Sequence, residues 1–281
     1  VIQHISGYNT KRLISYFAVG LACLFFVSAA ATTASEFPGR ATYPNVDVIE
    51  LDALKEMLGS AVLVDVRSAY EYHTLRIKSA INIPVAEDRF VSKVSQLRAS
   101  TNKPIVFYCN GRTCMKSYQA SEKCVSANIP DVHTYDAGIM DWAKAYPKDS
   151  LLLGKSLNNP RLLISKTQFK KHLLDLDQFA NKVASEKYIV LDVRDRFQRD
   201  ALAIFPGREE RAYLDQTKKL DHYIRLAKKQ KRALLIYDAA GKQVRWLQYY
   251  LEYKRAPDYF FMKGGARAFY TAMTNQFIKR K

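Results

Sequence analysis

Short runs of apolar residues alternate along the chain with segments of helical spacing. Val62–Val66 and Ile105–Tyr108 are runs of four or five residues suited to strands buried on both faces. Ala53–Leu58 and Lys116–Ala127 read as helices, and in the second Ala120, Cys124 and Ala127 share one face. Val132–Tyr135 reads as a further strand and Met140–Ala145 as a further helix. Strands alternating with helices predict an α/β fold with a parallel sheet flanked by helices. In such sheets ligands bind beyond the carboxyl ends of the strands. Cys109 stands at that position, after one buried strand and before a helix.

The pattern occurs twice. Val62-Leu63-Val64-Asp65-Val66-Arg67 recurs as Ile189-Val190-Leu191-Asp192-Val193-Arg194, at an offset of 127. Ile105-Val106-Phe107-Tyr108-Cys109 recurs as Leu234-Leu235-Ile236-Tyr237-Asp238, at an offset of 129. Ala137-Gly138-Ile139-Met140-Asp141-Trp142 recurs as Gly264-Gly265-Ala266-Arg267-Ala268-Phe269, again at 127. Three matches in one order predict a tandem duplication of a whole domain, with copies over residues 40–150 and 160–281. The boundary falls near Lys148–Asn159, where Gly154, Ser156, Asn158, Asn159 and Pro160 interrupt the pattern.

Ahead of the first copy, Lys11 and Arg12 precede Leu13–Ala31, which has no charged residue, and small residues follow. A basic start, an apolar stretch and an Ala-x-Ala site describe a secretory signal. The alternative is an uncleaved anchor, since ~20 apolar residues span a bilayer. Residues 1–39 are therefore read as signal peptide or anchor. Either reading places the rest outside the cytoplasm, periplasmic or secreted, or held at the inner membrane by the N-terminal helix.

Composition adds two points. The 281 residues include four cysteines, which excludes a disulfide-dense scaffold, and 48% hydrophobic residues, enough for packed cores. The net charge of +17 is unevenly placed. Residues 1–159 hold 17 basic and 14 acidic residues, whereas residues 160–281 hold 27 and 13. The basic runs Lys218-Lys219, Lys228-Lys229-Gln230-Lys231-Arg232 and Lys279-Arg280-Lys281 suit a solvated face, an acidic protein partner or an anionic membrane surface. No zinc-finger, RRM or KH signature favours nucleic acid.

The candidate chemistry lies in Cys109-Asn110-Gly111-Arg112-Thr113-Cys114-Met115-Lys116-Ser117. A Cys ends a strand, Gly111 permits a tight turn, and a helix start can direct amides at the sulfur. Arg112 and Lys116 add two cations. Each feature favours the thiolate, which is the nucleophile, and inward-facing amides make an anion cradle. Cys114, as the second thiol of a C-x4-C pair, is either a resolving thiol or a loop residue without a redox role. Cys124 reads as core. A zinc site from Cys109, Cys114, Cys124 and His133 does not match common spacings, so no metal is expected.

This order of Val-Asp-Val-Arg, Ala80-Ile81-Asn82-Ile83-Pro84, Phe-Tyr-Cys with its loop, and Ala-Gly…Trp142 resembles a rhodanese domain over about residues 45–147. A diverged version covers about 160–273. The resemblance implies two tandem rhodanese-like domains, each a small parallel sheet flanked by helices. It also implies a sulfurtransferase in which Cys109 takes sulfane sulfur from a small anionic donor such as thiosulfate. The resulting persulfide passes its sulfur to a thiol or protein acceptor, without a cofactor. Asn110 to Ser117 would cradle the persulfide and select substrate. The usual rhodanese loop has an Arg about five residues after the Cys, where this chain has Cys114. In rhodanese-like phosphatases and arsenate reductases a lengthened loop holds a larger oxyanion with an Arg after the Cys. Met115 at that place counts against such chemistry. The second copy has Asp238 in place of Cys109, so it is expected to be silent in sulfur transfer. Two-domain rhodaneses usually have the active copy second; here the order is reversed. The alternative function is an interaction protein whose basic second domain docks an acidic partner or membrane while the Cys109 domain carries sulfur or redox equivalents. Asp65 and Arg67 recur as Asp192 and Arg194, which predicts a structural ion pair rather than a catalytic one.

Overall fold

The computed structural model describes residues 36–195 and 203–279. Most of the expected leader or anchor, residues 1–35, lies outside the described residues, as do Arg280 and Lys281. The chain divides into two compact units. One holds the residues up to Val66 together with Val85–Asp141, and the other holds Arg67–Pro84 together with the residues from Trp142 onward.

In the first unit the strands Val62–Asp65, Ile105–Tyr108 and Val132–Tyr135 lie side by side and parallel. Ile105–Tyr108 is flanked on both edges, with Asp65 opposite Tyr108 and Tyr108 opposite Tyr135. All four of its side chains are buried, which explains why the run has no alternation. Each fully buried side chain of this kind contributes about 1.5–3 kcal/mol. Phe90, at the start of the helix Phe90–Ser100, packs its ring 5.8 Å from that of Phe107. The helix Lys116–Ser126 buries Tyr118, Ala120, Ser121 and Cys124; Ala120 and Cys124 lie on the expected face, whereas Ala127 is the exposed residue that ends the helix. Burial pushes the Cys124 thiol up to about 12, so it is an inert core group.

The second unit holds a five-stranded parallel sheet in the order Glu209–Arg211, Tyr188–Asp192, Ala233–Tyr237, Tyr259–Met262, Leu173–Leu174. The two-residue period of its strands separates two cores. Ile189, Leu191, Leu234, Ile236 and Phe261 pack with Leu220 and Ile224 of the helix Thr217–Gln230 and with Leu247 and Leu251 of the helix Val244–Tyr253. Val190, Leu235, Tyr237 and Met262 pack with Phe179 and Val183 of the helix Leu176–Val183 and with Ala266 of the helix Gly265–Lys279. Helices therefore cover both faces. The α/β class, with parallel sheets flanked by helices, is the architecture the sequence pattern predicts.

Asp192 and Arg194 form the structural pair expected of them. Arg194 Nη2 lies 2.7 Å from Asp192 Oδ2 and Nε 2.9 Å from Oδ1, with both residues buried. In the first copy Asp65 and Arg67 are also buried, and Arg67 Nη2 donates to the Leu75 carbonyl at 2.5 Å. One element has no counterpart in the sequence pattern: Leu75–Ile77, Ser150–Leu152 and Lys155–Ser156 form a three-stranded antiparallel sheet in the second unit. Strands of two or three residues are too short to show a period.

Candidate functional site

Cys109 follows directly on the strand Ile105–Tyr108, so the flanked position of that strand fixes where the residue stands. Seven residues later the helix Lys116–Ser126 begins. The chain turns between them, with the Cys114 amide donating to the Gly111 carbonyl at 2.8 Å. The loop is closed from behind by Gly138. The Ile139 amide donates to the Cys109 carbonyl at 2.9 Å. Gly138 has φ +69°, and a Cβ there would lie 2.4 Å from the Gly111 nitrogen and 2.7 Å from the Cys109 oxygen. Only glycine fits this approach.

Cys109 is fully buried. Its Sγ lies 3.4 Å from the Cys114 carbonyl oxygen and 3.5 Å from Ser117 Oγ. Burial, and then its hydrogen bond and charge interaction with Cys114, raise the Cys109 thiol well above its ordinary value, while Ser117 pulls it the other way. Cys114 behaves oppositely. The hydrogen bond from Cys109 lowers it first, against burial, and the amides of Asn110 and Lys116 and the Lys116 charge add to this, bringing it to about 6. The sequence reading directs the loop amides and cations at Cys109. In the structure Cys109 is buried in the core and Cys114 is half-buried, and the Asn110 and Lys116 amides and the Lys116 charge act on Cys114. Cys109 is thus held toward the thiol and Cys114 is drawn toward the thiolate.

The other loop residues divide by depth. Asn110, Gly111, Met115 and Lys116 are half-buried, Arg112 and Thr113 are exposed, and Ser117 is buried. Ser117 is further held through its carbonyl, which accepts from Thr134 Oγ1 at 3.1 Å. Arg112 is the loop cation expected to hold an anionic donor. Its Nε lies 2.6 Å from Asp141 Oδ2, and its Nη1 is paired with Glu36. A guanidinium engaged by two carboxylates is a weak anion receptor. Lys116 is the cation whose charge reaches the sulfur pair.

Sequence reasoning missed a second cluster at the end of the neighbouring strand. Buried Asp136 accepts from Arg40 Nε at 2.7 Å and from Tyr118 Oη at 2.5 Å. This ties the segment around Phe37–Tyr43 to the helix that follows the loop. His133 is also partnered, by Asp47 at 2.6 Å and Asp131 at 2.9 Å. Except for Asp131, two residues from His133, these partners are distant in sequence, and no local pattern announces them.

The second copy has the same frame with different contents. The Ala266 amide donates to the Asp238 carbonyl at 2.8 Å, and Gly265 (φ +59°) occupies the place of Gly138. The Asp238 carboxylate accepts amides from Ala240 at 3.0 Å, Gln243 at 2.6 Å and Val244 at 3.1 Å, and also from Gly241. It is buried. The amide cradle of this copy is filled by its own side chain.

The Rhodanese-like domain model matches residues 50–145. Over 106 residues the chain is 29% identical to a tRNA uridine(34) hydroxylase of Cytophaga hutchinsonii, a match covering 37% of this chain and 33% of that protein. Over 87 residues it is 34% identical to an HTH-type transcriptional regulator of Mycobacterium tuberculosis, covering 31% of this chain and 36% of that protein. The chain thus spans about a third of the length of these curated relatives. The solved thiosulfate sulfurtransferase of Pseudomonas aeruginosa is 19% identical, with a TM-score of 0.37, over 84% of this chain and 46% of that one. The strand–Cys–loop–helix order lies inside the segment that the family model covers, and residues 50–145 are a rhodanese-like domain.

Proposed function

We propose that the protein is a sulfurtransferase that moves sulfane sulfur from a small anionic donor, thiosulfate or a relative of it, to a thiophilic acceptor through a persulfide on Cys109. The observation that carries this reading is the place of Cys109 in the rhodanese-like domain. It is the residue after the strand Ile105–Tyr108 and sits in hydrogen-bond reach of Ser117 and the Cys114 backbone. The neighbouring Cys114 thiolate supplies a base. It accepts the Cys109 proton, and the freed Cys109 thiolate attacks the outer sulfur of the donor. The sulfur–sulfur bond of the donor breaks, and sulfite leaves with its electron pair. Lys116 offsets the negative charge that gathers in the loop. No cofactor enters this scheme. A thiol or a protein cysteine takes the sulfur in the second half-reaction, and work outside the cytoplasm is consistent with the charge-free run Leu13–Ala31.

The test is incubation with thiosulfate followed by intact mass and sulfite measurement. Sulfite release by the wild type and its loss in Cys109→Ser are expected. Release undiminished in Cys109→Ser rejects the assignment.

The second reading, an interaction protein, is favoured by the Asp238 cradle, since a copy that fills its own site is free for another task. It would dock an acidic protein or anionic membrane through the basic residues of Thr217–Gln230. In that case the purified protein binds anionic vesicles or an acidic partner and turns over no sulfur donor.

A further inference from the structure

We propose that Cys114 is a resolving thiol, so that the Cys109 site can release its sulfur as hydrosulfide and close a Cys109–Cys114 disulfide. The inference rests on the persulfide reading above.

Three observations carry it. The turn that brings the Cys114 amide to the Gly111 carbonyl at 2.8 Å folds the second cysteine back over the first. Cys109 Sγ donates a hydrogen bond to the Cys114 carbonyl oxygen at 3.4 Å. Cys109 is fully buried while Cys114 is half-buried, so an external thiol meets Cys114 before it meets Cys109. The remaining described cysteine, Cys124, lies in the helix Lys116–Ser126 and is packed in the core.

The atoms balance. Cys109 attack on thiosulfate leaves a Cys109 persulfide and sulfite, with the Cys109 proton on Cys114. The proton returns to the terminal sulfur of the persulfide, and Cys114 is again a thiolate. Its electron pair then forms a bond to Cys109 Sγ, the bond from Sγ to the terminal sulfur breaks, and hydrosulfide leaves with that pair. The net reaction converts one thiol, one thiolate and one thiosulfate into a disulfide, a hydrosulfide and a sulfite. An external dithiol reductant returns the disulfide to the starting pair by thiol–disulfide exchange. Geometry favours attack on the inner sulfur, because the Cys114 backbone already lies against Sγ, its carbonyl oxygen 3.4 Å away.

The experiment is a single turnover of the full chain with thiosulfate and no added thiol, following sulfite, hydrosulfide and intact mass, with peptide mapping. Wild type is expected to release sulfite and hydrosulfide in equal amounts and to lose two hydrogens in mass, with Cys109 and Cys114 in one cross-linked peptide. Cys114→Ser and Cys114→Ala, which lack the base that frees Cys109, are expected to release sulfite more slowly than the wild type, retain one extra sulfur and yield hydrosulfide only after an external thiol is added. The proposal is overturned if wild type keeps the extra sulfur with Cys114 still alkylatable, or if both Cys114 variants release hydrosulfide as the wild type does. Absence of sulfite from wild type and from folded Cys114 variants, judged by circular dichroism, overturns the persulfide reading itself and this step with it.

Discussion

The Cys109 loop and the Asp238 loop share a frame and differ in what fills it. In each, a buried strand ends at the key residue, and a positive-φ glycine lets the next segment donate an amide to that residue's carbonyl, at 2.9 Å from Ile139 and 2.8 Å from Ala266. The first loop then holds a buried thiol, Cys109, raised by burial, beside the half-buried Cys114, lowered by its neighbours. The second directs at least three amides at 2.6–3.1 Å onto a carboxylate of its own. The comparison teaches that the strand, the glycine and the helix start make the cradle, and one residue decides whether it is open to a reactant.

The largest effect expected concerns chemistry. Cys109→Ser should lower sulfite release by on the order of 10³-fold or more, as loss of a nucleophile does. Asp238→Ala should leave that rate unchanged, and a large loss of rate in the Asp238 variant would break the division between the loops. Stability should separate them in the opposite sense. Asp238→Ala leaves several buried amides without an acceptor and should cost about 3 kcal/mol in urea unfolding, with Asp238→Asn costing roughly half. Cys109→Ser should cost less than about 1.5 kcal/mol, because Ser117 still offers a partner.

The glycines test the shared frame. A Cβ at Gly265 would lie 2.4 Å from the Asp238 oxygen, much as one at Gly138 would meet the first loop. Gly138→Ala and Gly265→Ala should each destabilise by about 2–3 kcal/mol. A cost confined to one of them would show that the frames differ. The smallest effect is a titration. Alkylation of Cys114 in Cys109→Ala reports the thiol without its sulfur donor, whereas in the wild type its rate should rise as pH passes about 6. The sign follows from acid behaviour: a lowered thiol is thiolate above that pH and loses reactivity below it. The midpoint in Cys109→Ala should stand higher than in the wild type, and that in Lys116→Ala should also rise. An unchanged midpoint in both would remove the basis for charge resting on Cys114.

Much of this was legible in the chain. Ile105–Tyr108 and Val132–Tyr135 are strands with the ends that their apolar runs suggest, and Lys116–Ser126 is the helix its spacing suggests. Two-sided burial leaves a strong local signature, so the sheet could be read. The site was legible in position but not in electrostatics. Which sulfur receives the amides depends on the path of the loop in three dimensions, and a cation's partners depend on folding. Arg112 meets Asp141 across 29 positions of sequence, and Arg40 meets Asp136 across 96. The Asp238 cradle left no local trace, because Asp238 lies six residues before the helix start at Val244 and the amides reach it only through the turn of the loop.

The filled cradle has a consequence for how the two loops respond to heat and ligand. A carboxylate fixed by covalent attachment is present at every concentration of solute, so the Asp238 loop draws its order from within and gains nothing from added anions. The Cys109 loop has charge only when its thiols ionise or a reactant arrives. By linkage, anything that binds there in the folded state alone raises the free energy of opening that loop. Amide hydrogen exchange should therefore slow in residues 110–117 when an anionic donor analogue is added, while exchange in residues 239–244 stays at its already slow rate.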